Sequence, residues 1–452
     1  MFPDQELIER FFRYLAIPSQ SEVMSTELPS TSGQLRLANL LADELRGLGL
    51  QDVLVDDHAI VTAVLRGTCP GAQNVGFIAH LDTADIGLSP EIRPAVHRFE
   101  GRDLCLNEEA DIWLRVEEHP EIRRWQGQDI ITGDGTSVLG ADNKAAIAII
   151  MTVLAHLKNP ASHGDIFVAF VPDEEIGLRG AKALDLSRFS CDFAYTIDCC
   201  EVGEVVVENF NAASCEIIFH GVSAHPMSAK GKLVNPLLMA QNFIALFDPL
   251  DTPEHTEGRE GFFWFTDLVA DDSSARLQIL IRDFDEESFD CRKQKISEAA
   301  EVISSKYPTG DVEYYLTDAY RNVGPRLRQD PRPMNLLLDA LDKVGIEPRL
   351  ISMRGGTDGA VLSARGIATP NMFTGAYNFH SRFEFLPVPA FVKSFETVLT
   401  ICQLAARDVI GERNGQSADP RKARQNVSPV PRVWPQGPRG QKAESDELWG
   451  NL

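Results

Sequence analysis

Three short apolar runs, each ending in a histidine or acidic residue or followed at once by one, constrain the fold of this chain most. They are VGFIAH at 75–80, DIFVAFVP at 165–172 and FAYTID at 193–198. Continuous runs of this length are typical of strands that are buried on both faces, because half-exposed strands alternate apolar with polar residues. Amphipathic helical segments separate the runs. The pattern therefore predicts an α/β fold with a central, mostly parallel sheet.

The pattern changes part-way along the chain and later returns. In the middle, ASCEIIFHGV and ARLQILIRDFD alternate like half-exposed strands, and two further segments have the periodicity of amphipathic helices. We therefore predict a catalytic domain formed by residues 1–208 and 323–410, with an inserted α+β domain at 209–322. Residues 411–452 are rich in Gly, Pro, Gln, Ser and charges, so we expect a disordered tail.

Charge, cysteine content and hydropathy exclude several classes of protein. The formal net charge of -23 argues against binding to nucleic acid, because a polyanion would be repelled. The 8 cysteines show no repeated CxxC spacing, which predicts neither a disulfide framework nor a thiolate zinc site. The longest apolar stretch, 145–157, is too short to span a bilayer. We therefore expect a cytoplasmic protein with no membrane or nucleic-acid partner.

Several candidate functional residues directly follow predicted strands or begin a predicted helix. Each has an ordinary explanation by itself: His80 and Asp82 could be solvated loop residues, and Asp142 could cap a helix. Three successive acids at 173–175 are harder to explain, because carboxylates crowded beside an apolar core need cations or raised pKa values. The strand ends of an open α/β sheet share one ligand-binding crevice, so convergence favours function. The residues that we predict for this crevice are His80, Asp82, Asp142, Glu174, Glu175, Asp198 and His380.

The chemistry of this set favours metal-assisted hydrolysis. Imidazole and carboxylate ligands without thiolate suit Zn, Mn or Co. Paired metals about 3.5 to 4 Å apart commonly share a bridging carboxylate. Glu174 is then available for acid/base work, taking a proton from water and returning it to a leaving amine, which is worth about 10² to 10⁴ in rate.

Longer motifs along the chain are more specific than these single residues. They are HLDTAD at 80–85, TGDGTSVLGADNKA at 132–145, HGDIFVAFVPDEEIG at 163–177, VENFNAAS at 207–214, SAHPMSAKG at 223–231, IRDFD at 281–285, RGGTDGA at 354–360 and FTGAYNFHSRFEF at 373–385. From about residue 5 to about 408 the chain thereby resembles the M20 metallopeptidases, and among them the peptidase T group of tripeptide aminopeptidases. The resemblance implies a zinc-exopeptidase-like catalytic domain and a ferredoxin-like lid that closes over a short peptide and often forms a homodimer.

The resemblance also implies roles for the metal-binding residues. His80 and Asp198 would hold one divalent ion, Glu175 and His380 the other, and Asp142 would bridge the two. The ions would be Zn, with Co or Mn as alternatives. Related enzymes often have a cis peptide bond after the bridging aspartate, so the Asp142-Asn143 bond is a candidate.

Further roles concern catalysis and the substrate. Glu174 would be the general base, and Asp82 would orient the ring of His80. His225 would stabilise an oxyanion, and Arg282 and Arg354 would bind the terminal carboxylate of the substrate. Arg282 also has an ordinary explanation, an ion pair with a neighbouring aspartate of its own strand segment, Asp283 or Asp285.

Four residues depart from the pattern of the family and bear on specificity. Asn143 replaces a second aspartate, Cys199 and Cys200 replace small residues, and Met227 replaces a glycine. A dipeptidase or an N-acyl amino acid deacylase of the same superfamily therefore stays an alternative, as does a non-catalytic metal-binding scaffold. A lid also implies open and closed states, with motion near residues 208 and 322.

Overall fold

The computed structural model describes residues 3–157 and 163–406, so the tail expected at 411–452 lies outside the described residues. Over these ranges it contains ten α-helices and seventeen β-strands. The helices are α1 Pro3–Leu15, α2 Ser32–Leu48, α3 Ala141–Leu157, α4 Arg179–Ala183, α5 Pro236–Ile244, α6 Glu286–Lys306, α7 Gly324–Gln329, α8 Arg332–Lys343, α9 Asp358–Ala364 and α10 Val388–Ala405. The strands are β1 Gln51–Val55, β2 Val61–Leu65, β3 Val75–His80, β4 Ala95–Arg98, β5 Leu104–Asn107, β6 Ile112–Leu114, β7 Asp129–Thr132, β8 Ile166–Val171, β9 Phe193–Cys199, β10 Glu204–Asn209, β11 Asn211–His220, β12 Phe262–Ala270, β13 Ser274–Asp283, β14 Asp311–Tyr320, β15 Arg349–Met353, β16 Asn371–Phe373 and β17 Phe385–Pro387.

The larger sheet has eight strands in the order β1-β2-β8-β3-β9-β16-β10-β15. Its centre, β8-β3-β9-β16, is parallel, whereas β1 and β2 add an antiparallel edge. Every residue of β3, β8 and β9 is buried, because helices cover both faces. On one face, Ile78 of β3 packs in a cluster with Val361 and Leu362 of α9. The predicted α/β class with a parallel sheet centre is therefore confirmed.

The second sheet is antiparallel, with the strand order β12-β13-β11-β14. Burial alternates along β11 and β13, as the sequence pattern predicts for strands with one covered face. The covered face packs on α5 and α6, where Phe243, Ile279, Phe289 and Ile296 belong to one buried cluster. Residues 211–320 thus form an α+β layer with its own hydrophobic core.

One helix of the larger layer, α10, is apolar and long enough to count as a candidate membrane span by length and composition alone. Its apolar window is 56% buried inside the fold. Phe391, for example, is fully buried and packs edge-on against Phe11 of α1. We interpret α10 as a core helix.

Three asparagines join the two places where the chain crosses between the sheets. The side-chain oxygen of Asn209 accepts the N–H of Val323 at 2.8 Å. The side-chain oxygen of Asn322 accepts the N–H of Asn209 at 3.2 Å, and the Asn322 N–H donates to the side-chain oxygen of Asn211 at 2.9 Å. The crossings, where we predicted motion, are therefore linked to each other by side-chain amides.

We expect the Asn322→Ala substitution to lower the free energy of unfolding by about 1–3 kcal/mol, because it leaves part-buried backbone groups unpaired. The groups affected are the N–H groups of Asn209 and Gly324, whereas the carbonyl of Phe284 keeps its hydrogen bond from Asn211. Urea unfolding measures the change. Asn39→Ala is the control, since that exposed side chain donates one bond to Leu35 within α2. Equal losses in the two variants would contradict a role of Asn322 in holding the crossings.

Candidate metal centre

The carboxyl ends of the central parallel strands meet at one rim of the larger sheet, and predicted ligands lie there. His80 is the last residue of β3, and Asp198 is the last but one of β9. Glu174 and Glu175 follow the end of β8. The parallel direction of β3, β8 and β9 places these four side chains on the same edge. The rim is thus formed by the polar residues that follow the buried apolar runs.

Asp142 lies at the centre of this rim, between two imidazoles. One of its oxygens is 2.9 Å from Nε2 of His80, and the other is 3.1 Å from Nε2 of His380. Nε2 of His380 is also 3.0 Å from a carboxylate oxygen of Glu175, and Nε2 of His80 is 3.9 Å from Asp198. His80, Asp142 and Glu175 each offer a ligand atom, and these atoms lie within 4.8 Å of one another. The five side chains thus form two donor groups that share Asp142.

Asp82 connects His80 to the acidic segment after β8. One carboxylate oxygen of Asp82 lies 3.4 Å from Nδ1 of His80, and the backbone oxygen of Asp82 lies 3.0 Å from the same nitrogen. The carboxylate also accepts the backbone N–H groups of Glu174 at 3.0 Å and of Glu175 at 3.1 Å. Contacts at Nδ1 turn Nε2 of His80 towards Asp142. Asp82 therefore orients both a histidine and the segment that carries two acids.

Burial and mutual repulsion shift the pKa values of the acids at the rim. Burial raises the pKa of Glu174 and of Glu175, and burial together with the charge of Asp142 raises the pKa of Asp198. Burial acts in the same direction on Asp142, but hydrogen bonds with His380 and His80 outweigh it and lower the pKa of Asp142. Carboxylates packed this closely require compensating positive charge. A set of imidazole and carboxylate donors without thiolate fits divalent metal ions such as Zn, Mn or Co.

The peptide bond between Asp142 and Asn143 is cis, as predicted. The side-chain amide of Asn143 donates to the carboxylate of Asp198 at 3.1 Å and to the carbonyl of Ile197 at 2.8 Å. An ionised aspartate at position 143 could not donate either bond. The asparagine therefore positions Asp198, a predicted metal ligand. The effect of Asn143 on specificity stays a prediction.

A cavity of about 480 Å³ opens on these residues. Its wall also includes Arg282, Tyr320, Met353 and Phe379. The guanidinium of Arg282 lies over the Tyr320 ring, 5.7 Å from its centroid. The carboxylate of Asp283 binds Arg292 at 2.8 Å, and that of Asp285 accepts the N–H of Ser288 at 2.9 Å. Among the described residues neither aspartate forms an ion pair with Arg282, which lines the cavity.

The other two predicted substrate contacts lie elsewhere. Arg354 donates to the Glu260 carbonyl at 3.0 Å and to the Thr256 hydroxyl at 2.9 Å. Its guanidinium lies over the rings of Phe210 and Phe262. His225 is exposed, and its Nδ1 accepts the N–H of Met227 at 3.2 Å. The structure thus brings Arg282 to the cavity wall, whereas the roles of Arg354 and His225 stay predictions.

Comparisons with known proteins agree with this architecture. The model of peptidase family M20/M25/M40 matches residues 134–404. A peptidase T-like protein of Rhizobium meliloti strain 1021 is 66% identical over 404 residues, which cover 89% of this chain and 99% of the relative. The chain belongs to peptidase family M20/M25/M40.

Two further comparisons connect this M20-family chain to named peptidases. Peptidase T of Caldanaerobacter subterraneus subsp. tengcongensis is 40% identical over 403 residues, covering 88% of this chain and 98% of the relative. The crystal structure of a tripeptidase from Staphylococcus aureus has a TM-score of 0.71 at 21% identity, covering 89% of this chain and 99% of that one. This last likeness concerns the fold.

Sequence reasoning missed two buried acids close to the centre of this M20-family peptidase. Burial raises the pKa of Glu384 to about 8 and that of Asp358 to about 7. Both lie inside motifs quoted above, Glu384 in FTGAYNFHSRFEF and Asp358 in RGGTDGA. Those motifs were the available signal, but an acid in a motif does not reveal which backbone groups it contacts.

Proposed function

We propose that this M20-family peptidase is a two-metal aminopeptidase that releases the N-terminal residue from tripeptides. The observation that carries the proposal is the carboxylate of Asp142, which contacts both His80 and His380 at the mouth of a cavity. Glu174 is buried beside this contact and lines the same cavity. The relatives named peptidase T and tripeptidase support a tripeptide as the substrate.

The metal-binding roles follow from the two donor groups. His80 and Asp198 would hold one ion, Glu175 and His380 would hold the other, and Asp142 would be shared between them. We expect Zn, with Co or Mn as alternatives. When bound, such ions lower the pKa of water to about 7 and polarise the carbonyl that is attacked.

Glu174 acts as the general base and then as the general acid. Its side chain lines the cavity, and burial raises its pKa, so its carboxylate is a stronger base than an exposed glutamate. It accepts a proton from the attacking water and delivers that proton to the amine that leaves. Asp82, through the backbone of 174–175, keeps Glu174 beside the ligands.

Arg282, which lines the same cavity, favours a short peptide as the substrate. Its Nη1 donates to the carbonyls of Ala213 and Ile281, and the other edge of its guanidinium would bind the terminal carboxylate of a tripeptide. Arg282 belongs to β13, so the layer of residues 209–322 contributes to the cavity, and we propose that this layer is the lid. Its closure would bring the exposed His225 towards the substrate.

We also expect homodimers that form through the same layer, and a cytoplasmic location for the enzyme.

We expect the Glu174→Gln variant to lose a factor of about 10² to 10⁴ in kcat, because a neutral amide cannot take the proton. Hydrolysis of Ala-Ala-Ala by the zinc-loaded protein measures kcat, and metal analysis should show the same zinc content as in the wild type. Glu118→Gln, which changes an exposed glutamate, is the control. Turnover of the Glu174→Gln variant close to that of the control would show that another group is the base.

A panel of substrates of different length separates the proposed activity from its alternatives. We expect the metal-loaded enzyme to release free alanine from Ala-Ala-Ala, with little release from Ala-Ala or N-acetylalanine, because we assign the terminal carboxylate of a tripeptide to Arg282. Arg282→Ala should raise KM for the tripeptide more than it lowers kcat. Faster hydrolysis of Ala-Ala would indicate a dipeptidase, and faster hydrolysis of N-acetylalanine would indicate a deacylase.

A further inference from the structure

We propose that Glu384 is a positioning residue that fixes Asp142 and His380 relative to each other. The proposal rests on the proposed function, since it concerns the ligands of that metal centre. The observation behind it is a contact between two chain segments. One segment is the turn at the start of α3, which carries Asp142, and the other is the loop before β17, which carries His380.

Glu384 binds the turn by two backbone hydrogen bonds. One carboxylate oxygen accepts the N–H of Gly140 at 2.8 Å, and the other accepts the N–H of Asp142 at 3.1 Å. The residue is 1% exposed, so water cannot replace it as an acceptor. Both N–H groups would therefore stay unpaired in the interior without Glu384.

The turn needs this external acceptor because its backbone is not helical. Asp142 has φ -79° and ψ 100°, and Asn143 has φ -123° and ψ 18°, although both lie within the range of α3. The regular hydrogen bonds of the helix therefore do not fix the orientation of Asp142. Glu384 supplies that restraint from a distant part of the chain.

The loop that carries Glu384 is itself firmly closed. The backbones of Tyr377 and Phe385 exchange hydrogen bonds of 2.9 and 3.2 Å, and their rings stack with centroids 4.9 Å apart. Phe385 also pairs with Thr132 of β7. His380 lies in the middle of this loop with φ 55°, four residues before Glu384. Any shift between Glu384 and the turn therefore also shifts His380 relative to Asp142.

The N–H groups of Asp142 and Gly140 favour the ionised form of Glu384 and oppose the effect of burial. There is a chemical reason for a carboxylate at this position. It offers two acceptor oxygens, one for each N–H, whereas a glutamine offers one oxygen and directs an NH₂ group at the other N–H. Nitrogen and oxygen ligands of zinc lie at about 2.0–2.2 Å, so ligands from separate segments must keep their spacing closely. Glu384→Gln thus keeps the size of the side chain but breaks one of the two restraints.

The test compares the wild type, Glu384→Gln and Asp56→Asn in two measurements. Asp56 is a matched control, because one of its oxygens accepts the N–H groups of His58 at 2.9 Å and Ile60 at 2.8 Å. The first measurement titrates Co²⁺ into the metal-free protein and follows the visible absorption of the bound ion. The second measures amide hydrogen exchange of the peptide that contains Gly140 and Asp142 in the metal-free protein.

We expect Glu384→Gln to weaken binding of one of the two ions by about 10- to 100-fold and to change the Co²⁺ spectrum, as loss of such supporting contacts commonly does. We also expect faster exchange of the Gly140 and Asp142 amides, with both readouts unchanged in Asp56→Asn. A Glu384→Gln protein with wild-type exchange or wild-type Co²⁺ binding would overturn the proposal. A wild type that binds no Co²⁺ would contradict the proposed function, while the exchange measurement would still decide whether Glu384 holds the turn.

Discussion

The carboxylate of Asp142 is the contact on which the rest of the rim depends. Its two oxygens lie beside His80 and His380, which belong to segments 300 residues apart in the chain. An acid in this position can contact two ions only if its backbone and both imidazoles are held in place. Asp82 contacts His80, the closed loop of 377–385 carries His380, and Glu384 of the same loop binds the backbone of Asp142.

The buried sheet brings these acids together and also makes their negative charge costly without compensating positive charge. Strands β3, β8 and β9 are apolar along their length, so the polar residues at their ends face a medium that solvates charge poorly. Burial raises the pKa values of Glu174, Glu175 and Asp198, which favours protons or metal ions at the rim. The same environment gives a base such as Glu174 more affinity for a proton than an exposed carboxylate has.

The sequence was sufficient for the features that depend on local patterns. Continuous apolar runs predicted β3, β8 and β9, because strands buried on both faces have apolar residues at successive positions. Alternation predicted β11 and β13, because strands buried on one face have apolar residues at every second position. The candidate ligands could be named because strand ends are recognisable and the motifs resemble those of a known family. The cis bond after Asp142 was likewise expected from that resemblance and is present.

Features that depend on distant pairings could not be predicted in this way. Arg354 is held by aromatic rings and carbonyls from two other segments, and Glu384 finds its partners at Gly140 and Asp142, more than 240 residues earlier. No local pattern encodes such contacts. The position of His225 depends on how the two layers are arranged. The sequence predicted an inserted domain but not its packing against the catalytic layer.

Anomalous X-ray diffraction at the zinc edge, on crystals of the zinc-loaded protein, tests the central claim most directly. Two anomalous peaks about 3.5 to 4 Å apart, both in contact with Asp142, are expected. One peak should touch His80 and Asp198, and the other should touch Glu175 and His380. A single peak, or two peaks that do not share Asp142, would contradict the proposed two-metal centre.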